Sequence, residues 1–231
     1  KDARVRNAIV HAINNEAIVK KIMKGFATAG AQFSPAGYLG HNEALTPRYD
    51  VDKAKALMEE AGYADGFSIK MMAPNNRYVN DDKIAQAVAS MLAKINIKVD
   101  LKTVPKAQYW PAFDERAADM MMIGWHSDTE DSNNFFEFLS ACVDTESGLG
   151  QYNSGNYCNP EADKLMKAAN SEIDTAKRAE MMQQIETMLY EDAAFVPLHW
   201  QNLAWAAAKN VKAEPVLNAM NFPYLGDLVV E

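Results

Sequence analysis

The stretch GFSIKMMAPNNRYVNDDKIAQAVASMLAKINIKVDLKTV, residues 66–104, decides the fold class of this sequence. Its beginning alternates apolar and polar residues, with Phe67 and Ile69 on one side, as a half-buried strand does. Residues 96–104 alternate in the same way, and the intervening residues 81–95 carry apolar side chains at helical spacing. The stretch therefore predicts strand, helix, strand, which is the unit of an α/β fold.

The same alternation of helices and strands continues outward on both sides. Helix starts are indicated by an Asp or Asn directly before an apolar stripe, once with a proline at the first helical position. The residues ADMMMIGW lack polar alternation and predict a buried strand. These elements are helices capped by Asp50, Asn159 and Asp174, and strands at 118–125 and 194–200.

The periodicity fades after about Asn202, so the sequence predicts one α/β lobe over residues 1–202 and an extended, irregular segment over residues 203–231. The methionines of the chain fall mostly on predicted helix faces and in the 118–125 strand, which predicts a packing role for them. The first residues run straight into helical periodicity, an unusual start that predicts a preceding segment in the parent protein.

The composition excludes several function classes. Hydrophobic residues make up 48% and charged residues 23%, as in ordinary globular proteins. The formal net charge of −8 and the absence of a Lys/Arg-rich run argue against nucleic acid as a partner. No apolar run approaches the roughly 20 residues that span a bilayer.

An acidic and aromatic cluster, GWHSDTEDSNNFFEF (124–138), follows the predicted strand at 118–125. Four interpretations are open for it: a metal site, a catalytic pair such as Asp128 and Glu130, a solvated acidic loop, or the mouth of a ligand site. The spacing fails the pattern of a calcium loop, and a zinc site at His126 lacks a third ligand within reach. A carboxylate beside an indole could pair with a ligand ammonium group.

Other motifs of catalysis are missing from the sequence. Neither a glycine-rich phosphate loop nor a nucleophile elbow occurs, and no cofactor is expected. Cys142 and Cys158 flank a segment rich in Gly, Ser and Asn. They could form a disulfide worth about 3 kcal/mol or remain reduced thiols, and their spacing leaves both alternatives open.

Five segments, spread over nearly the whole chain, carry a family resemblance through their order and spacing. They are DARVRNAIVHAINNEAIVKKIMKG, YDVDKAKALMEEAGYADGF, AQAVASMLAKINIKVDL, GWHSDTEDSNNFF, and YCNPEADKLMKAA with FVPLHW. Together they resemble the peptide/nickel-type periplasmic solute-binding proteins of ABC importers, solute-binding protein family 5. The resemblance implies the second lobe of a two-lobed, type II-like binding protein, with a mixed sheet flanked by helices and a C-terminal segment that returns toward the missing N-terminal lobe.

The resemblance also implies roles for individual residues. In peptide-binding relatives the aspartate after the GW element pairs with the α-amino group of the ligand, and here that residue is Asp128, with Trp125 and His126 beside it. An arginine in the loop after the GF strand takes the ligand carboxylate in dipeptide-binding relatives, which implies Arg77. Some dipeptide-binding relatives carry a cysteine pair in the 142–158 loop, which favours the disulfide. Further residues expected on the pocket wall are Tyr109, His199 and Trp200.

The function implied is that of a periplasmic, non-enzymatic receptor, expected to be a monomer. It would bind a dipeptide or oligopeptide between two lobes and deliver it to the permease subunits of an ABC importer. The chain alone is expected to bind weakly, because half of the cleft is absent. Two alternatives stay open: a nickel-chelate or other small-solute binder of the same family, and a hydrolase that uses neighbouring carboxylates.

Overall fold

The computed structural model describes residues 2–127, 129–216, 218 and 222–231. Helices and short strands alternate through most of this part of the chain. Its α-helices are α1 (Ala3–Ala12), α2 (Asn15–Ala17), α3 (Val51–Glu60), α4 (Asp81–Leu92), α5 (Lys106–Asp114), α6 (Asn133–Phe135), α7 (Pro160–Ser171) and α8 (Thr175–Glu191). Its strands are β1 (Ala27–Ala29), β2 (Phe67–Pro74), β3 (Ile97–Val104), β4 (Met120–Met121), β5 (His199–Gln201), β6 (Val211–Lys212) and β7 (Val229–Val230).

The β2–α4–β3 unit forms the centre of the larger core. Strands β2 and β3 pair in parallel from Phe67 opposite Ile97 to Pro74 opposite Val104, and β4 pairs in parallel with the other side of β2. The sheet order is β3-β2-β4. Helix α4 buries its apolar stripe against this sheet, and α1 and α3 pack into the same cluster. The predicted strand, helix, strand unit is confirmed.

Side-chain caps begin the helices where the sequence predicts them. Asp50 accepts the N–H of Lys53 before α3, and Asp174 accepts the N–H groups of Ala176 and Lys177 before α8. Asn159 does the same before α7, with a proline at the first helical position. Each cap satisfies donors that have no partner within the helix.

A second apolar cluster packs α7 and α8 against the turn of helix after residue 132. Methionines contribute to both clusters, as predicted: Met58 and Met71 are buried in the first, and Met166 and Met182 in the second. Together the clusters give α/β architecture with helices around a parallel sheet, so the predicted fold class is confirmed.

The predicted buried strand at 118–125 is wrong in its length and burial. Only Met120 and Met121 join the sheet as β4, and both are half-buried. After the N–H of Met122 donates to the carbonyl of Met72, the next ladder bond would require an N–H from residue 74. Residue 74 is a proline and has no N–H, so the ladder stops there.

The predicted closing strand is also shorter than expected. Only His199–Gln201 pair, antiparallel to Ala27–Ala29, a partner that the sequence did not indicate. The chain from 203 to 208 is exposed and irregular, but β6 and β7 then form a short antiparallel ladder within the segment that was expected to be irregular. No helix in the described ranges is long and apolar enough to cross a membrane.

Candidate functional site

A groove with a volume of about 1770 Å³ runs between β4, with the segment that follows it, and β5. One group of its lining residues is mainly apolar and comes from α1, the sheet and the segment that leads into β5. The other group is aromatic and polar, and we call it the aromatic half of the groove. The residues of this aromatic half are Phe33, Tyr38, Arg77, Tyr78, Trp125, His126, His199 and Trp200.

The indole of Trp125 is fixed in the aromatic half. Its Nε1–H donates to Oδ1 of Asn134 at 2.6 Å, and its ring centroid lies 4.8 Å from that of Tyr152 and 5.3 Å from that of Phe138. Rings held this way lose little side-chain freedom when a ligand arrives. Trp125 is therefore placed as a planar, pre-organised wall.

Arg77 lies in an exposed loop at the edge of the groove. Its guanidinium stacks over the ring of Tyr78, 4.8 Å from the centroid, and no carboxylate of the described residues pairs with it. The loop itself is held by Asp81, whose Oδ2 accepts the N–H groups of Arg77 and Tyr78 at 2.9 and 3.0 Å. A planar guanidinium with free donors on a fixed loop can take a carboxylate bidentately.

Tyr78 was not predicted from the sequence and connects the Arg77 loop with the segment after β4. Its hydroxyl donates to the carbonyl of Gly124 at 3.4 Å, and burial raises the pKa of the phenol. A Cβ on Gly124 would lie 2.7 Å from the ring of Tyr78, so the close approach requires glycine. Tyr78 thus joins the Arg77 loop to the segment after β4.

On the opposite side, β5 presents Trp200 and His199. Trp200 donates its Nε1–H to the carbonyl of Phe33 at 3.2 Å. Nδ1 of His199 is buried and has no hydrogen-bond partner among the described residues. Burial lowers the pKa of His199, so the ring is neutral at pH 7 and can offer either a donor or an acceptor to a ligand.

The acidic run after Trp125 is divided between several roles. His126 is exposed on the groove, whereas Ser127 is buried and donates to the carbonyl of Asp131 at 3.2 Å. Asp131 forms an ion pair with Arg178 of α8 at 3.0 Å. Asp128, the residue expected to hold a ligand ammonium group, lies outside the described residues.

Tyr109 does not line the groove, so the expected wall position is wrong. The residue is fully buried in the core, and its hydroxyl donates to the carbonyl of Met122 at 2.5 Å. This is the carbonyl that Pro74 cannot satisfy because it lacks an N–H. Tyr109 therefore completes the end of the sheet, and burial raises its pKa.

Residues 33–41, which we call the wall loop, close the groove beside β5 and were not singled out from the sequence. Phe33, Pro35 and Tyr38 line the groove, and the ring of Phe33 meets that of Phe195 edge-on at 4.9 Å. The only sequence signal was its turn chemistry, with Gly37 and a proline. Turn residues mark a loop but not the surface that it faces.

The predicted disulfide is present. Cys142 and Cys158 are bonded, with their Cα atoms 4.4 Å apart, and both oxygens of Asp163 accept the N–H of Cys142. The bridge closes the loop whose Tyr152 packs on Trp125, and Cys158 lines the groove. Across the described ranges, no group of three or more His, Cys, Asp or Glu side chains is placed to hold a metal ion.

Comparison with known proteins gives a consistent result. The family described as "Bacterial extracellular solute-binding proteins, family 5 Middle" matches residues 1–147. The dipeptide-binding protein of Escherichia coli (strain K12) is 28% identical over 215 residues, which are 91% of this chain and 40% of the relative. The di/tripeptide-binding protein 1 of Pseudomonas aeruginosa (strain UCBPP-PA14) is 30% identical over 200 residues, 84% of this chain and 36% of the relative.

Solved structures agree with the sequence relatives. The ABC transporter-associated periplasmic binding protein DppA from Helicobacter pylori, in complex with the peptide STSA, superposes with a TM-score of 0.82 and 26% identity over 100% of this chain and 44% of its own. The dipeptide-binding protein of a Pseudoalteromonas species, in complex with Met-Leu, gives a TM-score of 0.82 and 25% identity over 100% of this chain and 45% of its own. The chain thus spans about two fifths of the length of the curated relatives that it matches, and it belongs to family 5 of the bacterial extracellular solute-binding proteins.

Proposed function

We propose that this chain is the second lobe of a periplasmic receptor that binds a dipeptide or oligopeptide and delivers it to the permease of an ABC importer. The observation that carries the proposal is the convergence of Arg77, Trp125, His199 and Trp200 on one groove of a family 5 chain. Relatives named for dipeptides and a relative structure with Met-Leu support the ligand class. The receptor would act by binding and lobe closure, without catalysis.

The proposed ligand occupies only the aromatic half of the groove. Pockets for small molecules usually measure about 300–1,000 Å³, and this groove is larger than that range. We therefore assign the apolar half to the remainder of the protein, which the relatives possess and this chain does not cover. Residues 1–202 form the lobe in this proposal, and 203–231 return toward that remainder.

Within the aromatic half, the peptide would be held at its two charged ends. Arg77 pairs with the carboxylate through its free donors, and Asp128 pairs with the ammonium group. Trp125, His126, His199 and Trp200 contact the body of the peptide. Each charge-assisted pair contributes on the order of 1.5–3 kcal/mol, enough to reject a peptide whose end is blocked.

Native mass spectrometry of the whole parent protein tests the ligand class first. A co-purifying mass that fragments as a short peptide supports the proposal. A metal isotope pattern or a non-peptide mass would contradict the ligand class and leave the family membership intact.

Calorimetry on the whole protein then tests the two ends separately. Asp128→Asn should weaken binding of a free dipeptide roughly 10- to 100-fold but leave an N-acetylated dipeptide unchanged. Glu130→Gln, an exposed acid two positions away, is the matched control. Equal losses for both peptides would refute the ammonium role.

The carboxylate end has a similar test. Arg77→Gln should weaken binding of the free acid but not of the C-terminally amidated peptide. Arg116→Gln serves as its control, since this exposed arginine bonds to Asn156 and does not line the groove. An unchanged affinity for the free acid would remove Arg77 from the site.

A further inference from the structure

The wall loop is fastened to α8 by a buried polar network that the proposed peptide contacts do not use. Glu186, in the middle of α8, is only 1% exposed. Its Oε2 accepts the N–H of Phe33 at 3.1 Å, and its Oε1 accepts the N–H of Ser34 at 2.9 Å. The backbone of the groove wall therefore rests directly on this carboxyl group.

Four oxygen atoms, the first of which is Oε1 of Glu186, form a chain of three close contacts. Oε1 of Glu186 lies 2.5 Å from Oγ of Ser34, which lies 2.5 Å from Oγ of Ser132. Oγ of Ser132 in turn lies 2.6 Å from the carbonyl oxygen of Leu39, at the far end of the wall loop. Each contact of this length requires a hydrogen atom between the two oxygens.

Counting hydrogens decides the protonation state of the carboxyl group. The carbonyl of Leu39 has none to give, and the hydroxyls of Ser34 and Ser132 have one each. Three contacts therefore have two hydrogens when Glu186 is ionised, and one pair of oxygens would face each other with lone pairs only. A neutral Glu186 supplies the third hydrogen and completes the chain from carboxyl group to carbonyl.

Among the described residues, no positively charged side chain bonds to the carboxyl group of Glu186. Arg178, two turns earlier on α8, is paired with Asp131 of the neighbouring segment. From the wall loop, the ring of His41 bonds to the carbonyl of Ser34 at 2.8 Å and lies 3.7 Å from the carboxylate of Glu43. Tyr190, one turn further along α8, donates to the carbonyl of Thr46, and the guanidinium of Arg48 stacks on its ring, 3.8 Å from the centroid. Burial without a cation raises the pKa of Glu186 to about 7.

We infer that Glu186 is a positioning residue, which holds the wall loop on α8 as a neutral carboxylic acid and releases it when ionised. Loss of the proton removes one hydrogen from this series of oxygen contacts and places a negative charge without a counter-ion in the core. The loop that carries Phe33 and Tyr38 along the groove would then loosen. Weaker peptide binding at higher pH would follow, and this consequence alone rests on the proposed function.

The sign of the pH dependence follows from the two protonation states. The folded protein keeps a proton at Glu186 that the unfolded chain releases near its ordinary pKa of 4.5. The stabilisation is complete below that value and is lost as the pH rises through about 7. The unfolding equilibrium constant should therefore increase on the order of a hundredfold across this window on account of Glu186.

Denaturant unfolding of the whole chain between pH 4.5 and 8 tests this inference. Glu186→Gln cannot ionise, and its NH₂ group must face the N–H of either Phe33 or Ser34. The variant should therefore be less stable than the wild type at pH 5, and its profile should lack the hundredfold rise. Glu180→Gln, at an exposed position of the same helix, should retain the wild-type profile.

Histidines ordinarily titrate in the same range, so His41→Gln is a second control and should keep the rise. Parallel profiles for the wild type and Glu186→Gln would overturn the inference, because a merely structural glutamate gives no difference in slope.

A direct measurement covers the case in which Glu186→Gln does not fold. In wild-type protein with ¹³C-labelled glutamate, one side-chain carboxyl signal should still be that of the neutral acid at pH 6. The indole N–H signal of Trp200, which donates to Phe33 in the wall loop, should shift with the same midpoint. A full set of ionised glutamates at pH 6 would refute the inference. None of these measurements uses a ligand, so they separate this inference from the peptide proposal.

Discussion

Two loops border the groove, and each is held by a buried carboxyl group in a different way. Asp81 holds the Arg77 loop: its carboxylate accepts the N–H groups of Arg77, Tyr78 and Asp82, all within four positions along the chain. Glu186 holds the wall loop from 152 and 153 positions away. The first arrangement is local and the second exists only in the folded protein.

The settings of the two carboxyl groups differ as well. Asp81 lies in the first turn of α4, where helix N–H groups lack partners and a negative charge is favoured. Glu186 lies in the middle of α8, away from either helix end. One groove therefore combines two kinds of border. The Arg77 loop, which we call the rim, is held by the first turn of the helix that follows it, α4, whereas the wall loop requires the docking of distant elements. The following predictions test that difference.

The largest effect on the free energy of unfolding is expected at Gly40, where the wall loop contacts α8. Gly40 has a φ of +95°, and a Cβ there would lie 2.6 Å from both Cβ of Met182 and Oγ of Ser132. Gly40→Ala should destabilise the protein by about 3 kcal/mol, since it combines backbone strain with overpacking. Denaturant unfolding measures the change.

Gly37 provides the matched control in the same loop. It has a similar φ of +93° but open space around the position of a Cβ. Gly37→Ala should therefore cost only about 1 kcal/mol. Equal costs for the two variants would show that the loop does not rest on α8.

A smaller effect is expected at the local rim. Asp81→Asn should cost about 2 kcal/mol, because the new NH₂ group faces a backbone N–H that loses its acceptor. Hydrogen exchange should rise at Arg77 and Tyr78 but not in the wall loop. Asp52→Asn, in the exposed first turn of α3, should change the stability by less than about 0.5 kcal/mol. Increased exchange in both loops would mean that the rim and the wall are one cooperative unit.

A substitution at Trp125 tests a contact of intermediate separation along the sequence. Trp125→Phe removes the donor to Asn134, nine positions away, and should cost about 1 kcal/mol. Trp205→Phe, in the exposed segment after β5, should be near neutral by the same thermal or denaturant measurement. A neutral Trp125→Phe would show that ring packing alone positions this wall.

The smallest effect is expected at His199 and has the opposite pH dependence to that of Glu186. Burial lowers the pKa of His199 in the folded protein below its ordinary value of 6.5. Below pH 6.5 the unfolded chain therefore binds the extra proton first, and stability falls as the pH falls. His199→Gln should reduce this acid-side slope in denaturant unfolding, although His11, whose pKa burial also lowers, keeps part of it. An unchanged slope would mean that the ring gains its proton without cost.

Much of the scaffold could be predicted because its signals are local. The alternation in β2 and β3, the stripe of α4 and the caps at Asp50, Asn159 and Asp174 depend on residues a few positions apart, and all are confirmed. Strand β4 was overestimated because its length depends on Pro74, a residue of its neighbour in the sheet. The disulfide was favoured by family resemblance rather than by spacing.

The candidate site was predictable only in part. The family resemblance implied pocket roles for five residues that the structure brings to one groove: Arg77, Trp125, His126, His199 and Trp200. Tyr109 was misplaced, since its role is to bond the carbonyl that Pro74 leaves without a donor. The wall loop and Glu186 were missed, because a glutamate in the middle of a helix looks like an exposed residue until its neighbours are known.

By itself, the sequence determined the α/β class and the helix starts, because periodicity and capping are properties of short segments, whereas the residues of the candidate site were implied by the family resemblance. The tertiary structure alone decided which of those residues share a groove, where β4 ends and which oxygens surround Glu186. Those outcomes depend on contacts between segments that are distant in the sequence, such as Pro74 and Met122 at a separation of 122 − 74 = 48 positions and Phe33 and Glu186 at 153. There a hydrogen bond or a missing N–H acts through space rather than along the chain.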